Sequence, residues 1–214
     1  MKIVGGRFRG THLASLSKPG AGNRRTGFRP TTGRVRENMF NLLLNSRLGD
    51  CIAGVRVLDA FAGSGALGLE ALSRGAASVH FIDNDPGACA VIRRNIGRLR
   101  APVATRCLQR DALELGPCPW RPFDLVFLDP PYRRDLGSRM LCHSSGNGWL
   151  ADGAVVAWEE AERQEAPKGF EILDIRKYGS CHIHLLRWFG GEVNEIQAGS
   201  GLNMSTGPPA GRLD

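Results

Sequence analysis

From Val55 onward, apolar residues fall into short continuous runs separated by segments with helical spacing. The run VRVLDAF (55–61) predicts a buried strand, and ALGLEALSRG (66–75) a helix stopped at Gly75. SVHFID (78–83) predicts a second strand, and PGACAVIRRNIGRL (86–99) a second helix opened by Pro86. VATRCLQ, FDLVFLD and GAVVAWEEA supply three further strands. Unbroken apolar strands alternating with helices are covered on both faces, so the pattern predicts an α/β fold around a mainly parallel sheet with right-handed crossovers. After Ala161 the alternation stops. FEILDIRKYG and CHIHLLRWF are extended runs separated by little more than Gly179 and Ser180, a hairpin that brings the strand count to seven and makes at least one strand antiparallel.

The chain before Val55 reads differently. KIVGGRFRGTHLASL (2–16) predicts two short strands around Gly10, and SKPGAGNRRTGFRP (17–30) is a loop without apolar periodicity. In TTGRVRENMFNLLLN (31–45), Val35, Met39, Leu42 and Leu43 recur at helical spacing, with Thr31 or Thr32 available as N-cap. That face packs on the main domain and leaves Arg34 and Arg36 to face elsewhere. The stretch from Gly190 to Asp214, rich in Gly and Pro and poor in apolar residues, predicts a disordered tail. The expected organisation is an N-terminal extension of hairpin, loop and helix over 1–50, one α/β domain over 51–189, and the tail.

Composition adds a partner to this outline. The formal charge of +7 is confined to the first quarter: residues 1–50 hold ten Lys or Arg against Glu37 and Asp50, whereas the other 164 residues balance to −1. Arginine forks onto phosphate oxygens and stacks on bases, so Arg7, Arg9, Arg24, Arg25, Arg29, Arg34 and Arg36 are candidate contacts to a phosphate-rich partner. The six cysteines stand singly without a CxxC pair, which gives no support for zinc or redox motifs. His182 and His184 alternate onto one face of a strand, but two imidazoles without further ligands do not make a metal site. No stretch has the length of a membrane span or the layout of a secretory signal, and the expected compartment is the cytoplasm.

A parallel sheet binds ligands at the carboxyl ends of its strands, and four strand ends here carry chemistry. In LDAFAGSGALG, Gly63, Gly65 and Gly68 form G-x-G-x-x-G between a strand and a helix, where glycine lets a ligand approach the backbone. Asp59, four residues earlier, suits a cofactor carrying an ammonium and a sulfonium better than a pyrophosphate. Asp83, twenty residues after Gly63, is placed to accept two ribose hydroxyls, and Asp111 in QRDAL to accept an adenine amino group, although helix capping or loop solvation explains Asp111 equally well. The fourth end is DPPY. A nucleobase amine is a weak nucleophile because its lone pair is delocalised, and it must pyramidalise to attack a methyl sulfonium. The Asp129 carboxylate and Pro130 carbonyl, held outside any ladder by Pro130 and Pro131, supply acceptors for its N–H bonds, and Tyr132 offers a ring on which the extracted base stacks.

A G-x-G loop after LD together with a [DNS]-PP-[YFW] motif resembles the class I S-adenosylmethionine-dependent amino methyltransferases of nucleic acids. Within these, GGRFRG, RPTTGRVRENMFNLL, VLDAFAGSGALGLEALSRGA and DPPYRR, in this order, resemble the RsmD family of small-subunit ribosomal RNA guanine-N2 methyltransferases over roughly residues 2–189. The resemblance implies a Rossmann-like fold with a small N-terminal extension, and S-adenosylmethionine held by Asp59, Phe61, Ala62, Gly63, Ser64, Gly65, Asp83, Asn84, Asp111 and Ala112. It further implies catalysis at Asp129 to Tyr132 and, as partner of a monomeric enzyme, 16S ribosomal RNA in the small subunit. The family often has Glu where this chain has Asp83 and an acid where it has Gly33. Read from residues alone, the cup suits other amines as well, so an adenine-N6 or other ribosomal RNA or DNA amino methyltransferase stays open. So does a ribosomal RNA-binding assembly factor without catalysis.

Overall fold

The computed structural model describes residues 1–16, 33–45, 49–132 and 135–190. Helix α1 (Gly33–Leu44) precedes the alternating set β1 (Arg56–Ala60), α2 (Ala66–Ser73), β2 (Ser78–Asp83), α3 (Pro86–Arg98), β3 (Thr105–Gln109) and β4 (Phe123–Leu128). Helix α4 (Leu136–Gly146) and strands β5 (Leu150–Glu160), β6 (Phe170–Tyr178) and β7 (Cys181–Trp188) complete it. The seven strands form one sheet in the order β3-β2-β1-β4-β5-β7-β6. The first five are parallel, and β7 inserts antiparallel between β5 and β6. Strand order reverses at the β1/β4 boundary, which opens a crevice at the carboxyl ends of these two strands.

Alternation along each strand splits the core. One face of the sheet, with Val57, Val79, Leu125, Phe127, Ala157 and Leu185, packs against α1, α2 and α3. The other, with Leu58, Ile82, Val126, Val156 and Trp158, packs against α4. Helix α4 was not anticipated from sequence, because LGSRMLCHSSG has few strong helix formers and little periodicity. Its fixed point is Gly137, where any Cβ would collide with the indole of Trp158.

The N-terminal segment shares the first of these cores rather than forming its own: Ile3, Leu13, Met39, Phe40 and Leu43 are buried in the same cluster as Val57 and Leu72. The two expected strands reduce to a single antiparallel bridge, Lys2 to His12. The cause lies in Gly5 and Gly6, which turn the chain onto the C-terminal end of α2. Gly6 has φ +74°, and a Cβ there would overlap the Ser73 carbonyl. The contact is fixed by Arg7 N–H donating to Ser73 O (2.8 Å), Phe8 N–H to Ser73 Oγ (2.9 Å), and Ser73 Oγ–H to Gly5 O (2.6 Å). The 17–30 loop, the Thr31 or Thr32 cap and the tail beyond Gly190 lie outside the described residues.

Buried Glu70 closes this arrangement. Its two oxygens accept Val4 N–H and Gly5 N–H, both at 2.8 Å, and Arg74 Nε–H at 2.9 Å. Arg36 Nε stands 3.7 Å away. Arg36 was expected on the surface, free for a partner; instead it is 2% exposed, and its guanidinium donates to Lys2 O. Burial pulls its pKa down while Glu70 opposes that shift, so the pair is an internal ion pair and Arg36 leaves the set of candidate phosphate contacts. Glu70→Ala strands a buried guanidinium and two amides, and is expected to cost about 3–5 kcal/mol in urea unfolding. A loss within the error of the measurement would show that water replaces the carboxylate there.

Candidate active site

The carboxyl ends of β2, β1, β4 and β5 stand side by side. They place Asp83, the loop 61–65, Asp129 and Glu159 along one edge, with neighbouring strands about 4.8 Å apart. The glycine loop leaves β1 through three left-handed residues: Phe61 (φ 59°), Gly63 (φ 55°) and Gly65 (φ 75°). Ala62 N–H donates to Ile82 O, and Gly65 N–H to Ala62 O. Gly68, in the first turn of α2, lets the helix lie against the sheet, since a Cβ there would collide with Phe81 and Val79.

Asp59 is 2% exposed, and its Oδ2 accepts Gly68 N–H at 2.8 Å. It therefore holds the helix that carries the loop. Desolvation is the main cause that raises its pKa, to about 8, with the Gly68 hydrogen bond opposing and the Asp83 charge adding. Asp83 is half-buried, with Oδ2 accepting Gly63 N–H (2.7 Å) and Oδ1 accepting Asp85 N–H (2.9 Å). Its pKa is also raised, chiefly by burial. A carboxylate oxygen accepts two hydrogen bonds, so both oxygens keep acceptor capacity for a pair of hydroxyls. Asn84 is exposed beside it. Asp111 Oδ1 accepts Leu113 N–H at 2.9 Å, a local cap, and Ala112 is buried in the α4-side core. Ser64 is partly exposed between its two glycines.

At the end of β4, Asp129 is half-buried, Pro130 buried and Pro131 exposed. Tyr132 turns back across the edge so that its hydroxyl donates to Glu159 Oε1 on β5 at 2.9 Å. Burial, then the Glu159 and Asp129 charges, push the Tyr132 pKa up and keep the hydroxyl protonated. Glu159, itself 3% exposed, was not foreseen from sequence. The signal available was an acid pair, Glu159 and Glu160, ending an apolar strand. The histidines serve the fold: His184 Nε2 accepts Gln164 N–H at 2.9 Å and His182 Nδ1 meets Ala161 O at 3.1 Å. Among the described residues, no group of three or more His, Cys, Asp or Glu is placed to hold a metal ion.

Of the arginines proposed to meet phosphate, Arg7, Arg9 and Arg34 are exposed. Arg7 lies over the Phe8 ring at 4.6 Å. Arg24, Arg25 and Arg29 lie outside the described residues.

A sheet in this order, with a glycine loop after β1, an acid ending β2 and DPPY ending β4, defines a Rossmann-like class I methyltransferase fold. The comparisons with known proteins agree. The family described as "Conserved hypothetical protein 95" matches residues 1–187. "Ribosomal RNA small subunit methyltransferase D" of Escherichia coli K12 is 38% identical over 167 residues, 78% of each chain. The protein of that name from Haemophilus influenzae is 31% identical over 191 residues, 86% of this chain and 92% of its own. The solved structure of Escherichia coli yhhF superposes with a TM-score of 0.73 at 34% identity, covering 89% of this chain and 98% of that one. The chain belongs to the RsmD family.

Two expectations follow from the site's protonation and bonding. Folded Asp59 keeps its proton up to pH about 8, against an ordinary value of 3.8. Between those values the folded state binds the extra proton, so the contribution to stability is full below about pH 4 and is lost as pH rises towards 8. Asp59→Asn, which keeps an acceptor for Gly68, removes this dependence. Its unfolding free energy is therefore expected to gain on wild type steadily across that window; a constant difference would mean that Asp59 ionises normally. Tyr132→Phe removes the donor to Oε1 of buried Glu159 and is expected to cost about 1–3 kcal/mol in chemical unfolding. An unchanged midpoint would mean that the Tyr132–Glu159 bond is replaced by solvent.

Proposed function

We propose that this chain transfers a methyl group from S-adenosylmethionine to the exocyclic N2 amine of a guanine in 16S ribosomal RNA, acting as a monomer on the small ribosomal subunit. The observation that carries the reading is the placement of DPPY at the end of β4, immediately beside the glycine loop of β1 and one strand further from Asp83. The donor set fits the cofactor. The Asp83 and Asp129 carboxylates, on either side of the glycine loop, suit hydroxyls and a cationic sulfonium, and would repel the pyrophosphate of a dinucleotide. Asp83 would receive the ribose hydroxyls and the backbone of 61–65 would lie along the cofactor, with Asp59 acting on it through α2 and the loop. Bound there, S-adenosylmethionine supplies an electrophilic methyl group on sulfur. The names of the curated relatives supply ribosomal RNA as the substrate class, and the guanine rests on family resemblance.

The protein's own part is to make a poor nucleophile attack. Asp129 and the Pro130 carbonyl accept the two N–H bonds of the target amine, favouring the tetrahedral nitrogen over the planar one. As nitrogen gains positive charge, the carboxylate stabilises it and offers a base for the departing proton. The Tyr132 ring, anchored at its hydroxyl, presents a fixed face for the extracted base. Arg7, Arg9 and Arg34, exposed on the N-terminal segment and α1, would serve as phosphate contacts.

Single-turnover methylation of undermethylated small subunits, with saturating labelled cofactor and mapping of the modified nucleotide, tests this reading. Asp129→Ala is expected to lower the rate about a hundredfold or more, with Asn intermediate and cofactor affinity unchanged in both. An alanine variant as fast as wild type would reduce DPPY to a rigid turn, and a methylated adenine would redirect the specificity.

A further inference from the structure

Asn95 sits in the last turn of α3 with no exposed surface, near buried Ile92 and Ile96. A primary amide at such a position is costly unless its polar atoms are paired. Oδ1 accepts Ala14 N–H at 2.7 Å, and Nδ2 donates to Ala14 O and to Ser64 O, each at 3.0 Å. One buried side chain therefore grips the backbone of the N-terminal segment on one side and the glycine loop on the other.

The loop has a specific need for this grip. Ser64 is flanked by Gly63 and Gly65, both in the left-handed region, so local conformational preference does little to hold the peptide between 64 and 65. Its N–H, on Gly65, points inward to Ala62 O at 2.7 Å. Its carbonyl, on Ser64, points to Asn95. Without the second contact the peptide is pinned on one side only. Asn95 in turn is oriented by Ala14, whose N–H and C=O clamp both ends of the amide. We propose that Asn95 is a positioning residue for the glycine loop, and that the N-terminal segment at Ala14 is through it a structural part of the cofactor site. The proposal rests on the reading of that loop as the cradle of S-adenosylmethionine. It gives the segment a duty on the cofactor side of the reaction, besides any contact with RNA.

The test is isothermal titration of S-adenosylmethionine into the full chain, below the melting temperature of each protein, for wild type, Asn95→Ala, Ala14→Pro and Ser73→Ala. Ala14→Pro deletes the N–H that orients Asn95 and changes no residue of α3 or the loop. Ser73→Ala loosens the same segment at Phe8 and Gly5 without reaching Asn95. Asn95→Ala and Ala14→Pro are expected to weaken binding about tenfold, whereas Ser73→Ala lowers the melting temperature and leaves affinity within about twofold. If Asn95→Ala does not fold, Ala14→Pro against Ser73→Ala decides the matter. Unchanged affinity in Ala14→Pro overturns the proposal, as does an equal weakening by Ser73→Ala, which would indicate general loosening. A wild-type chain that does not bind S-adenosylmethionine overturns the cradle reading itself, and this proposal with it.

Discussion

A buried carboxylate on α2 is the contact on which the rest of the molecule is registered. Removing Glu70 from water is unfavourable by several kcal/mol, and it is tolerated because two amides and the guanidinium of Arg74 bond to it while Arg36 lies alongside. Those partners come from three places: the N-terminal segment, α1 and α2 itself. Gly68 stands two residues earlier, about 200° around the helix, and presses on the sheet through Phe81 and Val79. The eight-residue helix is thus held between sheet and segment, which accounts for the burial of seven of its residues. Because the glycine loop runs directly into this helix, the clamp that docks the segment also fixes where the loop ends.

The electrostatics divide accordingly. Along the carboxyl edge of the sheet run Asp83, Asp129 and Glu159, while Asp59, buried against Gly68, keeps its proton up to about pH 8; burial raises the pKa of Asp83 as well. The chain as a whole is basic, with its surplus in the first fifty residues. An acidic crevice within a basic protein suits a reaction whose donor is cationic and whose nucleophile becomes cationic, on a substrate that is otherwise polyanionic. Arg36 shows that this division cannot be assigned from charge counts alone. It belongs to the basic segment by sequence, yet it is buried beside Glu70 and bonded to Lys2 O, so its guanidinium is not presented to a partner.

What the sequence discloses and what it conceals follow from the range of the interactions. Continuous apolar runs mark β1, β2 and β4, and Pro86 and Gly75 punctuate the helices, because burial and backbone preference are local properties. The glycine loop, Asp83 and DPPY are legible for the same reason. The burial of Arg36 is not, since Glu70 lies 34 residues away. The N-terminal hairpin is overread because Gly10 looks like a strand turn, whereas Gly5 and Gly6 interrupt the first strand to reach Ser73. Helix α4 is missed because its place is set by Gly137 against Trp158, a contact that its own composition does not announce. Asn95 passes as an ordinary polar residue between two arginines and an isoleucine, until Ala14 and Ser64 are seen on either side of it.

DPPY shows how far a local motif reaches and where it stops. The prolines explain how the chain leaves the sheet, since neither can donate to a ladder and both fix φ. They do not determine where the aromatic ring faces. That direction comes from Glu159, 27 residues later on the neighbouring strand, whose register with β4 puts Leu128 opposite Trp158 and so brings the next residue of β5 within reach of the Tyr132 hydroxyl. Glu159 in turn is held by the pairing of β5 with the antiparallel β7, where it lies opposite Ile183. The hairpin that ends the sheet thereby braces the strand that orients the ring. The chemistry proposed for the cup rests on four consecutive residues, and its geometry depends on strands β4, β5 and β7 being in register.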